Sequence, residues 1–148
     1  MTGGRGRVLA IDLGTVRIGL ALSDPLGITA QPAGVLRRAR GRGDASAIGD
    51  WARHHGVTRV VVGLPLLLSG EVGARARDAE RFADELRVEL PAVAVDLWDE
   101  RLTTKEASRV MISANVRRRR RKEVVDSLAA VLILQGYLES RRGIDEAS

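Results

Sequence analysis

Three carboxylate side chains lie in or next to apolar segments, where a charged residue is not expected. Asp12 interrupts the aliphatic run of residues 8–13, Glu100 follows the apolar stretch 92–98, and Asp126 precedes an apolar helical face. Burying an unpaired charge is so costly that such groups are normally neutralised, paired or bound to a cation. Clustered carboxylates repel one another, so a hard divalent cation, Mg2+ or Mn2+, is expected between them. Two such ions about 4 Å apart activate water and stabilise the leaving oxygen in phosphodiester hydrolysis.

Each carboxylate also has an ordinary structural explanation. Asp12 could cap a turn through its own backbone, Glu100 could pair with Arg101, and Asp126 could favour the positive end of a helix. Taken singly, each residue fits that explanation better than the catalytic one. Taken together, at the ends of three elements, Asp12, Glu100 and Asp126 favour a metal site in which all three are ligands and catalytic residues.

The elements that would position these residues follow the order of an α/β fold. The predicted strands span residues 8–13, 17–24, 28–36 (with Pro32 at its margin), 57–64 and 92–98. The predicted helices run from Asp44 or Ser46 to His55, from Arg75 to Leu90, from Thr103 or Thr104 onward, and from about Glu123 to Ser140. Strands separated by helices are normally parallel. The sequence therefore predicts a mixed sheet, antiparallel hairpin strands followed by parallel strands, with helices on both faces.

Charge and composition restrict the partners. The chain of 148 residues has a formal net charge of +5 and is only 3% aromatic, so binding to a polyanion would depend on charge more than on base stacking. It contains no cysteine, no signal-peptide pattern and no apolar run near the roughly 20 residues that span a bilayer. We expect one cytoplasmic domain over residues 1–148, with a flexible tail at 1–6 and no membrane partner.

Six consecutive cations precede Asp126. They are Arg117, Arg118, Arg119, Arg120, Arg121 and Lys122. Such a run is most often a solvated loop, but this one leads into the helix that carries Asp126. Its side chains could therefore hold a phosphate backbone beside the metal site, helped by the helix N-terminus. A second basic stretch, residues 37–42, is also predicted to be a loop.

Four motifs along the chain resemble the YqgF (RuvX) family, bacterial nucleases with a ribonuclease H-like fold. The motifs are residues 10–15 with 17–19, residues 62–65, residues 99–104, and residues 122–137 with Asp126 and the alanines at 129 and 130. Their order and spacing are specific, whereas any one alone would be weak. The resemblance implies a metal-dependent nuclease in which Asp12, Glu100 and Asp126 bind the ions. The implied nucleic-acid contacts are Arg17, Arg101 and the run from Arg117 to Lys122.

The resemblance implies two substrates, structured RNA and branched DNA. Family members are linked to maturing the 5′ end of pre-16S rRNA and, by kinship with RuvC resolvases, to cutting Holliday junctions. A junction resolvase should be a two-fold homodimer, whereas an rRNA nuclease need not be. One departure from the family pattern is Leu66, Leu67 and Leu68 after Pro65, where polar residues are usual. An exposed aliphatic cluster there predicts a contact surface.

Two other functional classes stay open at this point. Residues 12–15 also resemble the first phosphate loop of the sugar kinase, actin and Hsp70 ATPases, although 148 residues cannot supply the two lobes that close around a nucleotide. The other class is a non-catalytic RNA-binding factor of ribosome assembly, which would use both basic stretches. It predicts that Asp12→Asn leaves biological activity intact.

Overall fold

A five-stranded mixed sheet forms the centre of the fold. Its strands are β1 (Arg7–Leu13), β2 (Arg17–Ser23), β3 (Ala30–Arg37), β4 (Val57–Leu64) and β5 (Ala94–Asp99). The spatial order is β3-β2-β1-β4-β5, in which β2 is antiparallel to β1 and β3, and β1, β4 and β5 are parallel. This computed structural model describes residues 6–39, 43–102 and 118–147, with side chains excluded at 118–126 and 143–147. The predicted hairpin followed by parallel strands is confirmed.

Helices cover both faces of this sheet. They are α1 (Gly43–His54), α2 (Ala74–Glu89) and α3 (Arg118–Ala147), and a 3-10 helix (Glu100–Leu102) follows β5. Alternate residues of a strand point to opposite faces. Leu9 and Ile11 of β1 accordingly pack with α1 and α2, while Ala10 packs with α3. Among the described residues, no helix is long and apolar enough to cross a membrane.

Helix α3 differs most from its prediction. It begins at Arg118 rather than near Glu123 and continues to Ala147. Arginine and lysine are good helix formers, so the basic run from 118 onward starts the helix instead of forming a loop before it. Asp126 therefore lies in the third turn, too far from the N-terminus for the helix-dipole explanation, which acts within the first turn. Arg117 and the helix predicted from Thr103 or Thr104 lie outside the described residues.

The third strand also departs from expectation. Pro32 lies inside β3, opposite Ala21, rather than at its margin. β3 is an edge strand, and its pairing with β2 shifts register between Leu20 and Ala21, which are the two situations in which a strand accepts proline. Arg37 belongs to the same strand, so the basic stretch predicted as a loop begins within the sheet.

Candidate active site

Asp12 and Glu100 come together at the edge of the sheet where the parallel strands end. Asp12 is the penultimate residue of β1, and Glu100 directly follows β5. The strand between them is β4, whose Val62 pairs with Ile11 of β1. Sites in α/β sheets usually gather at these carboxyl ends. We call Asp12 and Glu100 the carboxylate pair.

Gly63 of β4 provides the space that Glu100 occupies. A Cβ at position 63 would come within 3.2 Å of Cδ of Glu100 and 2.5 Å of Cδ1 of Ile133 on α3. Glu100 therefore lies over β4 on the face of the sheet that α3 covers. Asp12 points to that same face, because it alternates along β1 with Ala10, which packs against α3.

The two members of the carboxylate pair oppose each other electrostatically. Both are half-buried, and neither forms a hydrogen bond or ion pair with the described residues. Burial raises the pKa of Asp12 above its ordinary value, and the positive charge of Arg75 partly opposes this. Burial also raises the pKa of Glu100, the negative charge of Asp12 raises it further, and Arg75 again opposes the shift. Repelling oxygen ligands without partners fit a hard divalent cation.

The third predicted ligand is Asp126, which lies on α3. Its side chain lies outside the described residues. Among the described residues alone, no group of three or more candidate ligands for a metal ion is found. The assignment of Asp126 therefore stays a prediction.

The ordinary explanations for Asp12 and Glu100 are wrong. The turn after β1 is closed by the backbone, where the N–H of Gly14 donates to the carbonyl of Arg17 at 2.9 Å. A Cβ at position 14 would lie 2.7 Å from that carbonyl oxygen, so the turn requires glycine there. Arg101 pairs with Asp99 rather than with Glu100, at 2.8 Å between Nη2 and Oδ2.

Arg38 holds the loop after Asp12 in place, a role that the sequence did not reveal. Its partly buried guanidinium donates from Nη1 to the carbonyl of Gly14 at 3.0 Å and to Oδ2 of Asp78 on α2 at 2.7 Å. Its Nε donates to Oδ2 of the buried Asp44 on α1 at 3.3 Å. One side chain thus connects the carboxyl edge of the sheet, beside Asp12, to both helices on the other face.

The predicted nucleic-acid contacts have different environments. Arg17 begins β2 and is exposed. Arg101 is also exposed, and its ion pair with Asp99 leaves its Nη1 atom without a partner among the described residues. The residues from Arg118 to Lys122 lie in the first turns of α3, and their side chains are outside the description. The expected aliphatic exposure after Pro65 is confirmed for Leu67 and Leu68, which are 52% and 97% exposed, whereas Leu66 is half-buried. The role of these residues as a contact surface stays a prediction.

Comparison with known families decides the assignment. A family model described as "RuvX: Holliday junction resolvase" matches residues 6–140. The chain belongs to the RuvX family. A relative from Myxococcus xanthus is 48% identical over 94% of this chain and 91% of its own length. A relative from Koribacter versatilis is 49% identical over 95% of this chain and 90% of its own length. Both carry the name "Putative pre-16S rRNA nuclease".

Solved structures give the fold independently. Thermus thermophilus RuvC superposes with a TM-score of 0.61 at 15% identity, covering 93% of this chain and 96% of RuvC. RuvC in complex with a Holliday junction substrate gives a TM-score of 0.59 at 14% identity, with the same coverage. At such identity the likeness establishes only the fold, and it confirms the predicted ribonuclease H-like architecture.

Membership of the RuvX family also confirms the predicted enzyme class. The protein is an endonuclease that hydrolyses phosphodiester bonds, its substrate class is nucleic acid, and nucleases of this kind generally use divalent metal ions. The alternative of an actin- or Hsp70-type ATPase has no support in this family.

Proposed function

We propose that this RuvX-family protein is a metal-dependent endonuclease that processes the 5′ end of pre-16S rRNA. The observation that carries the proposal is the carboxylate pair, which is half-buried, mutually repelling and without a partner among the described residues. A divalent cation would relieve that repulsion. The choice of rRNA is supported by relatives that are named for pre-16S rRNA and are up to 49% identical. The predicted cytoplasmic location agrees with this function.

Asp126 would complete the ligand set. Positions 126, 130 and 133 follow the spacing of one helical face. Ala130 and Ile133 of that face are buried against the sheet, and Ile133 lies beside the space that Glu100 fills. Three carboxylates suit Mg2+ or Mn2+. When bound, such ions supply Lewis-acid stabilisation and an activated water.

Other residues of the protein would position the metal site and bind the nucleic acid. The carboxylate pair would hold the cation on the face covered by α3, while Arg38 would keep the loop after Asp12 in register with α2. Arg17, Arg101 and the run from Arg117 to Lys122 would bind the phosphate backbone. Phosphate contacts position a nucleic acid without reading its sequence, so they are compatible with either RNA or DNA.

Holliday junction cleavage is the second candidate function, because the matching family model is described as a junction resolvase. Paired cuts across a symmetric junction require a two-fold homodimer. Junction cleavage therefore predicts that the protein is a homodimer, whereas rRNA processing makes no such prediction.

The decisive experiment compares cleavage of a labelled pre-16S rRNA fragment with that of a four-way DNA junction, in Mg2+ or Mn2+. Asp12→Asn should reduce cleavage by about 100-fold or more, since even outer-shell partners of metal ligands are worth about 10–100-fold. Asp50→Asn is the matched control, because Asp50 is an exposed carboxylate on α1 whose partner is Arg53. Cleavage unchanged in Asp12→Asn would refute the metal site. Binding without cleavage in the wild type would indicate a non-catalytic assembly factor.

A further inference from the structure

Arg75 is an exposed arginine at the edge that holds the carboxylate pair. It is the second residue of α2, directly after the loop that follows β4. The fold holds this part of α2 close to Asp12. The same nitrogen, Nη1 of Arg38, donates to the carbonyl of Gly14, two residues after Asp12, and to Asp78, three residues after Arg75. Two hydrogen bonds from this one donor atom thus connect the second turn of α2 to the loop beside Asp12.

Unlike Arg38 and Arg101, Arg75 has no fixed partner among the described residues. Its side chain forms no hydrogen bond or ion pair with the described residues, whereas Arg38 is paired with Asp44 and Asp78, and Arg101 with Asp99. Its positive charge nevertheless lies near enough to act on both members of the carboxylate pair. Arg75 therefore places a positive charge near the carboxylate pair without forming a hydrogen bond or ion pair with any described residue.

A divalent cation and Arg75 would compete for the same negative charge. Once a cation neutralises the carboxylate pair, the guanidinium is no longer attracted to it and is available to bind another anion. The phosphodiester group of a bound nucleic acid supplies that anion in the same place, and a guanidinium binds phosphate oxygens with two parallel hydrogen bonds. We propose that Arg75 binds a non-bridging phosphate oxygen of the nucleic acid beside the carboxylate pair. This inference rests on the proposed metal-dependent function.

The proposal predicts opposite effects on two ligands when the charge of Arg75 is removed. Nucleic acid should bind more weakly, because a phosphate contact is lost. A divalent ion should bind at least as tightly, because a neighbouring positive charge is gone. A residue that only balances the carboxylates would change metal binding alone, and a solvated side chain would change neither.

The experiment compares Arg75→Gln with Arg77→Gln, two variants that have the same net charge. Arg77 is also exposed on the first turn of α2, and its side chain has no partner among the described residues. Affinity for a pre-16S rRNA fragment is measured by fluorescence anisotropy over a salt series, with Ca2+ in place of Mg2+ to slow cleavage. Mn2+ binding to the protein alone is measured by calorimetry. Arg75→Lys is added because lysine keeps the charge but lacks the paired donors of arginine.

For Arg75→Gln we expect about tenfold weaker RNA binding, a salt dependence shallower by roughly one phosphate contact, and Mn2+ affinity equal to or higher than that of the wild type. Arg75→Lys should restore the salt dependence but only part of the affinity. RNA affinity in Arg75→Gln equal to that in Arg77→Gln overturns the proposal. Failure of the proposed function is scored separately, by cleavage in the wild type and Asp12→Asn, so a binding difference without cleavage would still support Arg75 as a phosphate contact.

Discussion

A buried carboxylic acid with a raised pKa holds its proton more firmly in the folded chain than in the unfolded one. The pKa values of Asp12 and Glu100 are both raised, from ordinary values of 3.8 and 4.5. Between the unfolded and the folded pKa the folded state binds more protons, so the stability of the metal-free protein falls as the pH rises through that interval. At neutral pH the carboxylate pair therefore opposes folding until a cation binds.

This argument predicts the behaviour of Asp12→Asn in the absence of metal. In a chelating buffer at neutral pH, the variant should unfold at the same temperature as the wild type or at a higher one. Its stability should also decrease less than that of the wild type as the pH is raised from about 4.5 to 7. Thermal unfolding followed by circular dichroism, with and without Mn2+, measures both effects.

Mn2+ should raise the unfolding midpoint of the wild type more than that of Asp12→Asn, because only the wild type keeps the full pair of ligands. Asp50→Asn again serves as the control, and it should respond to Mn2+ like the wild type. A lower midpoint for Asp12→Asn than for the wild type without metal would mean that Asp12 stabilises the apo fold. The repulsion argument would then be wrong.

At the level of elements, the close contact of β4 with Glu100 and α3 gives a second test. Gly63→Ala places a methyl group 3.2 Å from Cδ of Glu100 and 2.5 Å from Cδ1 of Ile133. Overpacking of this kind typically costs about 1–3 kcal/mol. We expect Gly63→Ala to lower the unfolding midpoint and also to weaken Mn2+ binding, because Glu100 has to move.

The double variant Gly63→Ala with Ile133→Val separates these two effects. Removing the terminal methyl of Ile133 relieves the shorter contact but leaves the contact with Glu100 in place. Stability should therefore recover in part, while Mn2+ affinity stays low in calorimetry. Ile133→Val alone should cost about 0.5–1.5 kcal/mol and leave Mn2+ affinity unchanged. Full recovery of Mn2+ affinity in the double variant would show that Ile133, not Glu100, transmits the change.

Elements whose hydrophobic pattern is local could be predicted from the sequence. Strand β4 has the predicted bounds, and α2 agrees within one residue at each end. Asp12 and Glu100 were also recognisable, because charged residues at the ends of apolar strands are conspicuous. Arg38 was not, since its partner Asp78 lies 40 residues away and only the folded chain brings them together. Arg75 was missed for the same reason, because its closeness to the carboxylate pair is a property of the tertiary structure.

At the scale of the whole molecule, the excess positive charge should be concentrated where the nucleic acid binds. The net charge is +5, and the run from Arg117 to Lys122 alone carries six positive charges. Arg17, Arg75 and Arg101 are exposed at or beside the carboxyl edge of the sheet, and α3 begins with that basic run. If this arrangement forms one binding surface, RNA affinity should depend more on where a positive charge lies than on the net charge of the protein.

A pair of variants with equal net charge tests this distinction. In one, Arg118, Arg119, Arg120 and Arg121 are all replaced by Gln. In the other, the same change is made at four exposed arginines elsewhere, which are Arg53, Arg81, Arg87 and Arg142. The first variant should bind the pre-16S rRNA fragment more weakly and with a shallower salt dependence, since each lost phosphate contact reduces the logarithmic slope by about 0.7–0.9. The second should keep nearly the wild-type slope. Equal slopes in the two variants would mean that the basic run is a solvated surface and that RNA responds only to the overall charge.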